Sequence, residues 1–399
     1  MSINRGVTFP QGFRAAGVAC GLKKNGNADL ALVASDVPCT AAGMFTRNVV
    51  KGHSLQLAQR NVANGRAQAV VVNAGCANAC VGQRGDEDAL TMARLVADAV
   101  GCDPADVLTG STGVIGVALD MNKVSAGIAT AAAALSAEGG ANAARAIMTT
   151  DTHPKEATAT LTVGGKAVRI GAMCKGSGMI HPDMATMIAI VTTDCAINAD
   201  ALGHALRRAA AKSFNRVSVD GDTSVCDKAV VLANGLAGNR EIIAGTDECE
   251  AFVAALTSCC HRLARMLAAD GEGATKLLEV RVSGLPTPDD ALKAAQAIAK
   301  SPLVKTAAFG CDANWGRILT AAGYSGASFD PDLVDVFIGA VPVCAGGQAL
   351  PFDEDAALAV LKEPEVLLRV DFHQGPCSDF MLTCDLTYDY VKINGDYRT

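Results

Sequence analysis

The chain has 399 residues, 50% apolar and 19% charged, which is enough for a packed core of two or three domains and excludes a disordered chain. A net charge of −7 argues against a nucleic-acid or anionic-membrane partner. Fifteen cysteines follow no CxxC zinc spacing, and the first ten residues lack the apolar core of a signal peptide, so free thiols in a reducing cytoplasm are expected. Asp29 to Ser35 and Gln68 to Asn73 read as strands, and Asp86 to Val100 as a helix stopped by Gly101. Ser125 to Met148 is Ala-rich and helical, interrupted by Gly139 and Gly140. Strands are predicted at 160–163, 167–170, 186–191 and 228–233, and helices over Asn198–Lys212 and Glu248–Leu267. Beyond Ser283 the texture becomes a shorter βα pattern, placing a smaller α/β subdomain at about 281–350. Residues 380–390 alternate, with Phe380, Leu382, Cys384, Leu386, Tyr388 and Tyr390 on one face, as in a half-buried strand. Strands and helices mix without strict alternation, and no apolar segment is long enough to span a membrane. The expected class is therefore a layered αββα-type α+β sandwich.

Five polar strings, rich in glycine or turn residues, stand out, among them Cys311-Asp-Ala-Asn-Trp-Gly-Arg317. In Lys175-Gly-Ser-Gly-Met-Ile-His-Pro-Asp-Met-Ala-Thr186 a turn-rich lead runs into a strand that opens on a hydroxyl. Attack of that hydroxyl on the Ala185 carbonyl, an N-to-O acyl shift and hydrolysis would leave Thr186 with a free α-amine. Such an amine titrates near neutrality and can serve as the base of a Thr nucleophile. The plainer reading, a strand that begins with Thr after a glycine loop, stands beside it. Thr109 to Gly116 reads as a second glycine loop without the order or the Lys of a P-loop. The Thr112 hydroxyl and Gly113 N–H suit an oxyanion hole, and a simple tight turn suits the same residues. Glu272, between two glycines, is either an ammonium binder or a solvated acid. Thr150-Asp-Thr-His-Pro-Lys155 is polar and turn-rich, and the histidines show no ligand spacing, so no metal is expected.

Taken in order, these strings resemble the ornithine acetyltransferase (glutamate N-acetyltransferase) family, the self-cleaving enzymes of arginine biosynthesis. The resemblance rests on Pro10-Gln-Gly-Phe, Ala41-Ala-Gly-Met-Phe-Thr, Val72-Asn-Ala-Gly, Ala77-Asn-Ala-Cys, Ser111-Thr-Gly-Val-Ile-Gly and Ile147-Met-Thr-Thr-Asp-Thr. It continues through Lys175-Gly-Ser-Gly, Met184-Ala-Thr-Met, Ser218-Val-Asp-Gly-Asp-Thr-Ser, Asp270-Gly-Glu-Gly-Ala-Thr-Lys, Asn314-Trp-Gly-Arg, Ile393-Asn394, Tyr397 and Thr399. The resemblance implies cleavage between Ala185 and Thr186 into chains of residues 1–185 and 186–399, Thr186 as nucleophile, and Thr112 with Gly113 as oxyanion hole. It also implies an amino-acid site lined by Thr152, Lys175, Thr186, Glu272, Asn394 and Thr399. The implied reaction moves the acetyl group of N-acetylornithine to glutamate, with no prosthetic group. Acetyl-CoA is a candidate co-substrate on which the sequence is silent, and the implied assembly is a heterotetramer of two α and two β chains. His181, Asp183, Gly52-His-Ser54, Val225-Cys-Asp227 and Ala313 depart from the family pattern and bear on substrate preference. Two other readings compete: a Thr-nucleophile amidase or aminopeptidase that passes its acyl group to water, and an uncleaved binding scaffold.

Overall fold

The computed structural model describes residues 5–181 and 187–396. The chain divides into two compact units. One comprises Met1–Asn215 and Asp222–Leu263; the other comprises Arg216–Gly221 and Ala264–Arg398. The second unit extends on both sides of the 281–350 stretch read from the sequence.

In the first unit the strands are β1 (Phe13–Val18), β2 (Leu30–Phe45), β3 (Arg66–Cys76), β4 (Val107–Val114), β5 (Lys155–Val163), β6 (Lys166–Lys175), β7 (Ile188–Thr193) and β8 (Lys228–Ala233). The helices are α1 (His53–Asn61), α2 (Gln83–Val100), α3 (Met121–Ala133), α4 (Gly140–Ala146), α5 (Ala199–Ala211) and α6 (Asp247–Ala269), within which the chain passes to the second unit. The hydrogen-bonded order is β4-β3-β2-β8-β7-β6-β5, with β1 beside β2. The Gly164-Gly165 pair, both at positive φ, closes the β5–β6 hairpin as a two-residue turn requires.

The long strand β2 organises this sheet. Its first half pairs with β3 from Leu30↔Asn73 to Ala34↔Ala69, and its second half pairs with β8 from Thr40↔Ala233 to Phe45↔Lys228. Between Ala34 and Cys39 the register breaks. In a flat sheet three strand spacings, about 14 Å, would separate β4 from β8. A lysine side chain does not span that distance, yet Lys228 Nζ on β8 lies 2.6 Å from the Thr109 carbonyl on β4. The sheet is therefore folded over at the irregularity in β2, so that its halves face each other. Val33, Val70, Val72 and Leu108 meet Ile188, Ile190, Val230 and Leu232 in one shared core. The outer side of the first half buries Leu32, Val71 and Val107 against Met92 and Val96 of α2 and Val124 and Ile128 of α3. Each such side chain contributes about 1.5–3 kcal/mol on leaving water. The result is the layered α+β arrangement expected from the sequence.

Helix boundaries follow local chemistry. Gly101 ends α2 in the left-handed conformation, as predicted. The interruption at Gly139 is steric: a Cβ there would lie 1.8 Å from the Ala15 carbonyl oxygen, so the chain breaks between α3 and α4 to let β1 pass.

The second unit contains β9 (Leu277–Leu285), α7 (Pro288–Lys300), α8 (Pro302–Phe309), α9 (Trp315–Gly323), β10 (Asp335–Ile338), β11 (Val341–Ala345), β12 (Gln348–Ala349), α10 (Glu354–Leu361), β13 (Glu365–Asp371), β14 (Cys377–Cys384) and α11 (Tyr388–Asp396). Its sheet runs β12-β11-β10-β13-β9-β14, with β13 and β9 parallel. The single strand read over 380–390 is corrected here. β14 stops at Cys384, and Tyr388, placed on the buried face from sequence, is 83% exposed at the head of α11. Asp385 ends the strand by accepting the Thr275 and Lys276 N–H groups, and the Thr387 hydroxyl accepts from the Tyr390 N–H. Met381 and Thr383 are as buried as their neighbours, so the alternation in sequence did not mark a solvent face.

Candidate active site

The Thr109–Gly116 string is not the loop its glycines suggested. Thr109 to Val114 belong to β4, which runs parallel to β3 in the first unit. Backbone pairing with β3 outweighs the poor strand propensity of glycine. Where β4 ends, Cys76 faces both Thr112 and Val114, and the register slips. Gly75 and Gly113 both sit at positive φ across this bulge, and a Cβ on Gly113 would lie 2.4 Å from the Gly75 carbonyl carbon. Bulges of this kind re-aim groups at the rim of a sheet and recur beside active sites. Thr112, 5% exposed, and Gly113 thus share one short, kinked strand end. In the oxyanion role that the resemblance implies for Gly113, Gly113→Ala is expected to lower turnover by a factor on the order of 10²–10³, the usual cost of one displaced oxyanion donor. Steady-state kinetics beside a thermal melt checks this.

A directed hydrogen-bond chain fixes the bulge; three of its members, Asn73, Asn78 and Ser111, carried the resemblance without a role of their own, and Ser54 stood only among the departures from the family pattern. Asn78 Nδ2 donates to Ser54 Oγ at 3.1 Å, and the two hydroxyls of Ser54 and Ser111 are 2.8 Å apart. Ser111 Oγ donates to Asn73 Oδ1 at 2.6 Å, and Asn73 Nδ2 donates to the Cys76 carbonyl at 2.9 Å. Because Ser111 spends its proton on Asn73, Ser54 must donate to Ser111. All four side chains are buried. Polar residues within the apolar runs 72–80 and 107–115 were the available signal.

Lys175 is the last residue of β6, and its side chain is buried. Asp151 stands beside it, unassigned from sequence. Asp151 Oδ1 accepts from the Gly176 N–H at 2.7 Å and from Lys155 Nζ at 2.8 Å, and Oδ2 accepts from the Thr149 N–H at 2.9 Å. Burial alone would raise its pKa. The cations of Lys175 and Lys155 and these hydrogen bonds outweigh it and hold the carboxyl at about 2. Asp227 also faces Lys175 but behaves oppositely. Burial dominates there and pushes its pKa well above the ordinary value, despite Lys175 and the N–H groups of Ser224 and Met187. Of the two carboxyls beside Lys175, one is thus held below and the other pushed well above the ordinary carboxylate range. Thr152 is exposed, its hydroxyl 2.8 Å from His153 Nδ1. Ala185, Thr186 and Thr399 lie outside the described residues. Ile180 and Met187, which lie before and after Ala185 and Thr186 in the sequence, are both buried.

In the second unit two of the predicted residues meet. Glu272 Oε2 accepts from Asn394 Nδ2 at 2.8 Å, although 122 positions separate them. Thr387 Oγ1 donates to the Gly273 carbonyl at 2.7 Å, which ties the 270–276 turn to the chain leading into α11. Glu272 is buried, so its carboxylate is held in place rather than solvated. Among the described residues no three His, Cys, Asp or Glu side chains gather as metal ligands, and no helix is long and apolar enough to cross a membrane.

Comparison with known proteins covers nearly the whole chain. The model of the ArgJ family matches residues 14–399. The arginine biosynthesis bifunctional protein ArgJ of Symbiobacterium thermophilum is 57% identical over 396 residues, covering 99% of this chain and 98% of that one. The protein of the same name from Caldanaerobacter subterraneus is 50% identical over 400 residues, covering 98% of each. A crystal structure of the Bacillus halodurans protein superposes with a TM-score of 0.51 at 42% identity, covering 52% of this chain and 98% of that one. On the family match and these full-length relatives together, the chain belongs to the ArgJ family.

Proposed function

We propose that the protein is a glutamate N-acetyltransferase that moves the acetyl group of N2-acetylornithine to glutamate through acetyl-Thr186, after cleaving its own Ala185–Thr186 bond. The observation that carries this reading is the kinked end of β4, where Thr112 and Gly113 share a bulge locked by a buried hydrogen-bond chain. That arrangement suits a preorganised oxyanion hole, whose donors must not move as charge develops. Thr186 Oγ attacks the acetyl carbonyl, and its own α-amine takes the proton. The oxyanion rests between the Thr112 hydroxyl and the Gly113 N–H. Ornithine departs with the proton, leaving the acetyl ester of Thr186. The α-amine of glutamate then attacks that ester, and ping-pong kinetics follow.

Lys175 supplies a buried cation for the substrate carboxylate, with Asp151 holding its surroundings. Glu272 and Asn394 supply an anion and an amide for the ammonium end, and Thr152 and Thr399 complete the set. The relatives are named for arginine biosynthesis, which supports the substrate pair, and they are named bifunctional, which supports acetyl-CoA as a second acetyl donor. The Bacillus halodurans chain aligns almost entirely with about half of this one, as a separated fragment would. The heterotetramer of two α and two β chains is carried by the family resemblance.

The test is transfer of labelled acetyl from N-acetylornithine to glutamate, with acetyl-Thr186 trapped when glutamate is withheld. Label recovered in N-acetylglutamate supports the reading. Label recovered only as free acetate would make the protein a hydrolase.

A further inference from the structure

Lys228 has no part in the assignments above. It begins β8, is fully buried, and carries an amine into an otherwise apolar core. Its Cα pairs with Ile188 in the parallel β7–β8 ladder, two residues after Thr186. Its Nζ crosses the folded sheet and donates to the Thr109 carbonyl at 2.6 Å. Thr109 precedes Thr112 by three residues on β4. The space for the amine exists because residue 110 is glycine: a Cβ there would lie 2.6 Å from Nζ and 3.0 Å from Cε. One side chain therefore ties the strand that follows Thr186 to the strand that ends in Thr112 and Gly113.

We propose that Lys228 is a positioning residue of the reaction centre, fixing the spacing between the oxyanion strand β4 and the strand that Thr186 precedes. The inference rests on the roles given above to Thr186, Thr112 and Gly113. Bridging two sheet halves by a single donor sets a distance, which packing of apolar side chains sets only loosely. The bridging amine is also far less basic than an ordinary lysine. Burial lowers the Lys228 pKa to about 7, with Cys226 as the titratable neighbour acting against the shift. The buried titratable groups Cys226 and Asp227 precede Lys228 in the chain. Thr109 and Gly110 of β4 adjoin the amine, and Phe45 of β2 and Ile188 of β7 flank Lys228 in the sheet, none of these four charged. A neutral amine keeps its donor to Thr109, whereas a charged one would need acceptors that these residues lack.

The sign of the linkage follows. The folded pKa is about 7 and the ordinary value is 10.5. Between these values the unfolded chain binds the extra proton, so stability rises with pH across that window. The experiment compares the full-length parent with Lys228→Met, Lys228→Gln and Thr186→Ala. Lys228→Met is expected to fold, to lower kcat about 10- to 100-fold with KM changed less than about threefold, and to lose the Lys228 share of the pH dependence, read as a parent-minus-variant difference in melting temperature that grows from pH 7 to pH 10. Lys228→Gln, which keeps an N–H donor, is expected to recover part of kcat. A Lys228→Met enzyme with parental kcat overturns the proposal, as does a loss of kcat that Lys228→Gln leaves unrelieved. If Thr186→Ala still transfers acetyl, the assignment of the nucleophile fails instead, whatever the Lys228 variants do.

Discussion

A Thr186→Ala chain is expected to run as one band of 40.6 kDa and to transfer no acetyl group, while the parent gives fragments of 185 and 214 residues, the second headed by Thr. Both effects have one cause. In the proposed mechanism the hydroxyl that opens the Ala185 carbonyl in cleavage is the hydroxyl that takes the acetyl group in turnover. Without it neither covalent intermediate forms. Removing a nucleophile of this kind lowers turnover on the order of 10⁶-fold, far more than any binding contact is worth. Thr186→Ser keeps the hydroxyl and is expected to cleave and transfer. A denaturing gel with N-terminal sequencing of the smaller and larger fragments reads the first effect, and labelled transfer reads the second. Two bands from the Ala variant, or activity in an uncut chain, would remove the basis of the proposed mechanism.

Legibility from sequence depended on how local the cause was. The run Val70-Val71-Val72 announces a strand because its neighbours on both faces are apolar, and Gly101 announces a helix end because its conformation is set by its own backbone. β4 misled because its glycines weaken a strand locally, while pairing with β3, some forty residues earlier, makes it one. The fold in β2 was invisible: a register break between Ala34 and Cys39 is a fact about partners. Lys228 was hidden for the same reason. A lysine at the start of an apolar strand reads as a solvated end, and only the folded sheet brings Thr109 over it. Likewise Glu272 could be read as a solvated acid until Asn394 was placed against it. The Thr112–Gly113 pair could be singled out from sequence because the oxyanion role proposed for it needs those residue types. The side chains that hold the pair, Asn73, Ser111, Ser54 and Asn78, are ordinary residues whose importance lies in their burial.

Asp151→Asn is expected to destabilise the first unit by about 3–5 kcal/mol, the range for breaking a buried ion pair by removing one partner. The substitution keeps the shape and one carbonyl acceptor but removes the charge. Lys155 and Lys175 are then both left buried without the carboxylate that they bracket. The pH dependence separates this from simple loss of packing. In the parent the carboxyl titrates at about 2, below its ordinary 3.8, so the folded state binds fewer protons than the unfolded state between those values. The stabilisation is therefore complete above the ordinary value and is lost as pH falls through about 2. The gap in stability between parent and variant should be constant from neutrality down to about pH 4 and narrow only between about pH 4 and pH 2, which denaturant melts across that range would follow. Kinetically the loss should appear in KM for the acylated amino acid, since Gly176 and Lys175 lose their anchor while Thr112 and Gly113 keep theirs. A variant as stable as the parent at pH 7, or one whose deficit does not change with pH, would mean that Lys155 and Lys175 find their compensation elsewhere and that Asp151 is not what holds Lys175 ready for a carboxylate.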